Sequence, residues 1–389
     1  MFHLSRHLAK RGVEVHVLTT KGNEASGDPS IKVHPIMRNW SWLELPVLAM
    51  FLKRCRSDGI MLKYTEHLYN GHPMITFAPT LSKALLPHTP FVTQFGIPDG
   101  SVPHEKSLLV RGVRKAVVRI VGEENVGWGL GTLLRDSDHI IVLAELHREE
   151  LIGHFVGVER KSTLIPPPPI MYISTERNGA SRRRGRELLR LGSEDFILAY
   201  FGYMYPSKGV ETLLRAFQLA RRNRSNLRLI LIGGLTIEKR PSPYSREMFE
   251  LSQQLGIETD VIWTGEYRSD SDEASLYLRA SDACVLPFDQ GIALHRSSFA
   301  GAAAHGLPII TTKGKSLESP FVDGKNVLLC EPKDPEGLAA AIESVIRFPE
   351  LRQRLSEGAI ELVEEWFSWE KAVDRTLEVF KLNGVELGA

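Results

Sequence analysis

The chain has 389 residues, 43% of them hydrophobic and 24% charged, with 48 basic against 47 acidic side chains and a formal net charge of +1. That length exceeds one ordinary core and fits two domains, and the balanced charge excludes a strongly basic nucleic-acid binder. Cys55, Cys284 and Cys330 lie far apart, which excludes a disulfide scaffold and a paired-cysteine zinc site and fits a reducing cytosol.

The chain opens on a helical pattern, with Phe2, Leu4 and Leu8 apolar and Gly12 as the stop, followed by the strand "VEVHVLTT". The apolar run "LPVLAMFL" from Leu45 is too short to cross a membrane and holds a proline. "PFVTQF", "HIIVLA" and "STLIP" read as further strands, with helical patterns between them. Arg111, Arg114, Lys115 and Arg119 form a basic cluster that reads as a solvated face, with contact to an anionic membrane surface left open. Tandem prolines at Pro166 to Pro169 close this half, and the polar "STERNGASRRRGRE" reads as a linker running into the next helix.

The second half alternates more cleanly. "FILAYFG" is an apolar strand, and Val210, Leu213, Leu214 and Phe217 mark one face of an amphipathic helix. "LRLILIGG", "DVIWTG", "DACVLPF" and "PIITT" are strands separated by the helices "REMFELSQQLG", "EASLYLRAS" and a small-residue helix ending before Gly306. Strands alternating with helices predict a mostly parallel α/β sheet, and two such halves place a ligand at the carboxyl ends of the strands, in a cleft between them.

Three stretches carry chemistry. In "FGYMYPSKG", Gly202 ends a strand and Ser207 reads as a helix N-cap. Lys208 then stands at the positive end of a helix, an unfavourable place for a cation unless an anion such as a phosphate neutralises it, and this favours phosphate contact over an ordinary surface lysine. Gly233 and Gly234 permit close backbone approach to a ligand, or form a plain turn. In "LPFDQGIALHRSSFAGAAAHGLP", Ser297 or Ser298 reads as a cap, Gly291 as a source of freedom and Arg296 as a bidentate phosphate fork, with His295 read as an exposed polar residue in preference to a proton carrier. "DSD" at Asp270 to Asp272 imitates a metal-binding pair, but its place before a helix reads as capping.

The order of these pieces resembles the retaining glycosyltransferases of family 4, which have the GT-B fold. The resemblance covers nearly the whole chain. "FGYMYPSKGVETLLRAF", "NLRLILIGG", "VIWTGEY…LYLRASDACVLPF", "FVDGKNVLLCEPKDPEGLAAAI" and "EEWFSWEKAV" look like successive segments of that family. It implies two Rossmann-like domains facing across a cleft. Residues 1–175 would form the acceptor domain, 176–366 the donor domain, and 367–389 a C-terminal helix packing back on the first. It also implies metal-independent transfer from a nucleotide-diphosphate sugar to a glycan, lipid-linked or small-molecule acceptor, in the cytoplasm or peripherally at the inner membrane face. Lys208 and Arg296 would act on the leaving diphosphate, and Gly202, Tyr203, Gly233, Gly291, Ser297 and Ser298 would line the donor.

The sequence also departs from the family. Tyr203 stands where an arginine is common, and the usual pair of glutamates would fall at Ala293 and Gly301. A branch of the family carries a Ser/Arg-rich loop here instead, and Arg296 and Ser298 match it whereas Ala293 and His295 do not. Phe95 or Gln94 stands where a histidine is expected, and the first strand and Gly-rich loop of the N-terminal domain are absent, so upstream residues are expected. These departures favour an alternative reading, a catalytically inactive GT-B-like partner or regulatory subunit.

Overall fold

The computed structural model describes residues 2–22, 28–69, 72–96, 130, 132–173, 179–222, 224–233, 243–267 and 271–386. The chain divides into two compact units, Met1–Pro166 with Trp369–Ala389, and Pro167–Ser368.

In the first unit, helix α1 (Phe2–Lys10) leads into β1 (Val15–Thr20), which pairs in parallel with β2 (Ile31–Met37). Helix α2 (Leu45–Cys55) and β3 (Ile60–Tyr64) follow, then α3 (Ala78–Leu85), β4 (Phe91–Phe95), α4 (Leu133–Asp136), β5 (His139–Val142), α5 (Glu145–His154) and β6 (Ser162–Leu164). Strands β3 to β6 form a four-stranded parallel sheet in chain order. The two-residue period of a strand decides its packing. Phe91 and Phe95 enter the core with Leu62, Ile140, Leu133 and Leu151. Val92 and Ile141 face the other way, onto Ala372 and Val379 of the last helix (Trp369–Leu382). The basic cluster around Arg114 lies outside the described residues.

The second unit begins with α6 (Gly179–Leu189), so most of the stretch read as a linker is helical. Arg182 and Arg186 anchor this helix to the sheet. Both bind Asp282, at 2.5 and 3.0 Å, and the same carboxylate accepts the Ile197 N–H at 2.8 Å. The sheet strands are β7 (Phe196–Phe201), β8 (Leu227–Ile232), β9 (Val261–Gly265), β10 (Ala283–Leu286), β11 (Ile309–Thr312) and β12 (Leu328–Cys330). Between them run α7 (Val210–Arg221), α8 (Pro243–Gln254), α9 (Glu273–Ala280) and α10 (Ser297–Ala304), with α11 (Pro335–Arg347) and α12 (Pro349–Trp366) at the end and the last helix, α13, returning to the first unit.

The sheet order is β12-β11-β10-β7-β8-β9, parallel throughout. The chain therefore leaves β7 in one direction through β8 and β9, then returns to lay β10 on the other edge of β7. Loops leaving the carboxyl ends of β7 and β10 diverge at this point, which is where open α/β sheets bind ligands. Strand β7 is buried along nearly its whole length, as its unbroken apolar run requires in a doubly covered sheet. No helix among the described residues is long and apolar enough to cross a membrane.

Candidate functional site

The loops after β7 and β10 are pressed together. Gly209 sits at φ +70° as the N-cap of α7, where a Cβ would lie 1.7 Å from the Pro287 carbonyl oxygen. The Asp289 N–H donates to the Ser207 carbonyl at 3.0 Å. Ser207 itself adopts φ +78° and is not the cap expected from its residue type, because the turn extends two residues further before the helix begins. Nor do the serines of α10 cap it. Arg296 occupies the N-cap position without a side-chain cap bond, and Ser297 is already helical. Asp272 is the N-cap of α9 as position alone predicts, yet its side chain bonds Arg184 at 3.2 Å instead of a backbone N–H. Asp270 and Gly234 lie outside the described residues.

The close fit of the loops buries two cations. Lys208 and Arg296 are 9% and 8% exposed. The Lys208 Nζ lies 4.9 Å from the centre of the Tyr205 ring and 5.0 Å from that of Phe288, while the Arg296 guanidinium carbon is 4.6 Å from the same Phe288 ring. Neither cation has a carboxylate partner among the described residues, and the Arg296 Nε is buried without a hydrogen bond. Burial first, and the neighbouring Arg296 charge second, push the Lys208 ammonium down to about 7. Burial likewise lowers Arg296, against a smaller opposing effect of Tyr205 and Tyr200. Two desolvated like charges without a counter-ion are costly unless a ligand supplies one, which makes the pair a candidate anion site.

Around this pair, Gly202 (φ +132°) lies against Ser298, whose Cβ would be 3.4 Å from a Cβ placed on the glycine. The Gly202 N–H donates to the Ile232 carbonyl at 3.0 Å, and a Cβ on Gly233 would come within 2.9 Å of the Gly202 oxygen. Gly291 (φ +83°) packs on the backbone of Gly314, where a Cβ would meet nitrogen at 2.1 Å. Tyr203, by contrast, is 57% exposed and takes no part in the buried pair. His295 is half-buried rather than exposed.

Sequence reading missed the residues that hold the loop. The Thr312 hydroxyl donates to the Phe288 carbonyl at 2.5 Å, the Ile292 N–H donates to the Thr312 carbonyl at 2.9 Å, and Glu318 accepts the Leu294 N–H at 2.5 Å. Glu318 lies 24 residues beyond Leu294, so no local pattern links them. The missing glutamate at Gly301 also has a steric cause. A Cβ there would lie 2.7 Å from the Phe201 ring and 3.3 Å from the Met171 sulfur. His305, next along the chain from α10, donates from Nδ1 to the Gly301 carbonyl and accepts from the Ser275 hydroxyl, both at 2.7 Å; burial takes it down to about 4. No cluster of three or more His, Cys, Asp or Glu able to hold a metal occurs among the described residues.

Residues 181–362, nearly all of the second unit, match the family model of glycosyl transferases group 1. Over these residues the chain is similar to that family. Lys208, Phe288 and Arg296 all lie within this segment, as do the switch-point loops that carry them. Two curated proteins with similar sequences are D-inositol 3-phosphate glycosyltransferases. The one from Saccharomonospora viridis is 26% identical over 80% of this chain and 65% of its own length, and the one from Actinosynnema mirum is 24% identical over 96% and 88%. The chain spans 59% and 57% of two further relatives of the same name, from Thermomonospora curvata and Geodermatophilus obscurus. Among solved structures, a glycosyltransferase from Rickettsia africae superposes with a TM-score of 0.70 at 16% identity, covering 98% of this chain and 94% of that one. Anabaena Alr3699/HepE in complex with UDP-glucose superposes at 0.65 and 17%, covering 91% and 86%. The matched segment and the unit before it thus share the GT-B fold of these proteins.

Proposed function

We propose that the protein is a glycosyltransferase that takes a sugar from a nucleotide-diphosphate donor, with retention at the anomeric carbon and without a metal ion. The observation that carries this reading is the buried Lys208–Arg296 pair, which has no carboxylate partner among the described residues and lies at the switch point of the segment similar to the group 1 family. In the reaction the bond between the anomeric carbon and the β-phosphate oxygen breaks, and negative charge gathers on the departing diphosphate. Lys208 and Arg296 stabilise that charge in a desolvated site, the kind of preorganised electrostatics that dominates many catalytic rate gains. Gly202, Gly233 and Gly291 allow backbone to approach the donor, and Ser297 and Ser298 offer hydroxyls beside the N-terminus of α10. The acceptor supplies a hydroxyl, whose oxygen bonds the anomeric carbon on the face the diphosphate leaves and whose proton passes to the departing phosphate oxygen. The relatives' names make an inositol phosphate the first acceptor to test.

Titration calorimetry with UDP-, GDP- and ADP-sugars tests the reading, repeated with Lys208→Ala and Arg296→Ala and with a chelator present. The expected result is binding that the chelator leaves intact and that each substitution weakens by at least tenfold, about 1.4 kcal/mol. A full-length, folded chain that binds none of these donors would refute it. Buried Ala293, and Gly301 with no room for a carboxylate, favour a second reading in which the site binds a donor without turning it over. Donor hydrolysis or transfer measured on the same samples separates the two.

A further inference from the structure

Five other arginines of the second unit meet a carboxylate, whereas Arg352 donates to the Val345 and Ile346 carbonyls over the Phe196 ring. Arg182 and Arg186 bind Asp282, Arg221 and Arg228 bind Asp260, and Arg224 binds Glu343. Lys208 and Arg296, buried like Arg186, share an aromatic ring instead. Phe288 is fully buried, and its backbone is fixed on both sides. The N–H donates to the Leu286 carbonyl, and its own carbonyl accepts from the Gly291 N–H and the Thr312 hydroxyl.

We propose that Phe288 is a positioning residue of the anion site, its ring holding the Lys208 ammonium and the Arg296 guanidinium together in place of a carboxylate counter-ion. A cation over an aromatic ring is attracted by the ring quadrupole, and more strongly when both are withdrawn from water. A carboxylate at this place would bind the two cations more tightly, and it would also cancel the charge that an incoming phosphate needs. The ring offsets part of the repulsion between them and leaves both positive charges for the ligand. This inference rests on the donor reading above for the identity of the ligand, but not for the behaviour of Lys208 in the ligand-free protein.

The test replaces Phe288 in the full chain by mono-, di- and trifluorinated phenylalanine, which drain the ring's negative face with little change of shape. Two readouts are taken at each step. One is the dissociation constant for UDP-glucose at about pH 8, and the other is the titration of the Lys208 Nζ resonance in the ligand-free protein, assigned by its loss in Lys208→Arg. The expected result is a stepwise loss of affinity reaching roughly tenfold, together with a stepwise fall in the pH at which Lys208 deprotonates. An unchanged Lys208 titration across the series would overturn the proposal, whatever the affinity does. So would Phe288→Leu weakening binding while the fluorinated series does not, because the ring would then act by packing alone. If UDP-glucose binds no variant, the wild type included, the donor reading fails, and the Lys208 titration still decides the role of Phe288.

Discussion

Raising the pH should release the nucleotide sugar, because Lys208 loses its proton in the ligand-free protein far below the usual lysine range. Burial and Arg296 take it from 10.5 to about 7, whereas a bound phosphate favours the charged form and keeps it protonated. Affinity is therefore full below about pH 7 and falls by up to tenfold for each pH unit above it. Between about pH 6 and pH 9 the protonated fraction of such a group drops roughly a hundredfold, and the dissociation constant should rise by about that factor. The phosphates of a nucleotide-diphosphate sugar lack the second ionisation near pH 6 of a phosphate monoester, so the ligand does not titrate over this window. Calorimetry at fixed ionic strength measures the profile, and Lys208→Arg is the control, since a guanidinium does not deprotonate. The expected outcome is a steep wild-type profile and a nearly flat one for Lys208→Arg. Flat wild-type binding over this range, or an equally steep profile in the arginine variant, would refute the reasoning. Linkage adds an opposite sign for the ligand-free fold. The unfolded chain binds this proton up to about 10.5 and the folded chain only to about 7, so stability without ligand should rise across the window in which binding is lost.

Three further outcomes follow from the packing of the second unit. Asp282→Ala leaves the buried Arg186 guanidinium with only the Gly192, Ser193 and Asp195 carbonyls and the Ile197 N–H without its acceptor, and should cost about 3–5 kcal/mol by urea unfolding. Gly209→Ala drives a methyl group into the Pro287 carbonyl and should lower stability by more than about 2 kcal/mol, with loss of nucleotide binding measured on the protein that remains folded. His305 is held neutral, its folded value lowered from 6.5 to about 4, so its contribution is present above about 6.5 and is lost as pH falls toward 4. His305→Gln should remove that part of the acid slope, at most about 3 kcal/mol, in thermal unfolding followed from neutral to acid pH.

The elements of the second unit were legible because its strands are buried on both sides and its helices on one. That leaves a plain record in the sequence, with "FILAYF" unbroken and Val210, Leu213, Leu214 and Phe217 at helical spacing. The loops were read less well. Ser207, Ser297 and Ser298 have the composition of caps, but which residue caps a helix depends on where neighbouring backbone lets the turn end. The Pro287 carbonyl, from a loop far along the chain, puts Gly209 at the start of α7.

From the sequence alone came the alternating α/β architecture, the candidate cations Lys208 and Arg296, and the absence of glutamates at Ala293 and Gly301. Each follows from residue type and local period, which need no knowledge of partners. Only the tertiary structure decided that the two cations, 88 positions apart by subtraction of their numbers, lie over one phenylalanine and have no carboxylate partner among the described residues. It also decided that Glu318 and Thr312 hold the loop that presents Arg296. Burial and counter-charge belong to the neighbourhood of an atom, and that neighbourhood is built by the crossing of β7 and β10, strands more than eighty residues apart in the chain.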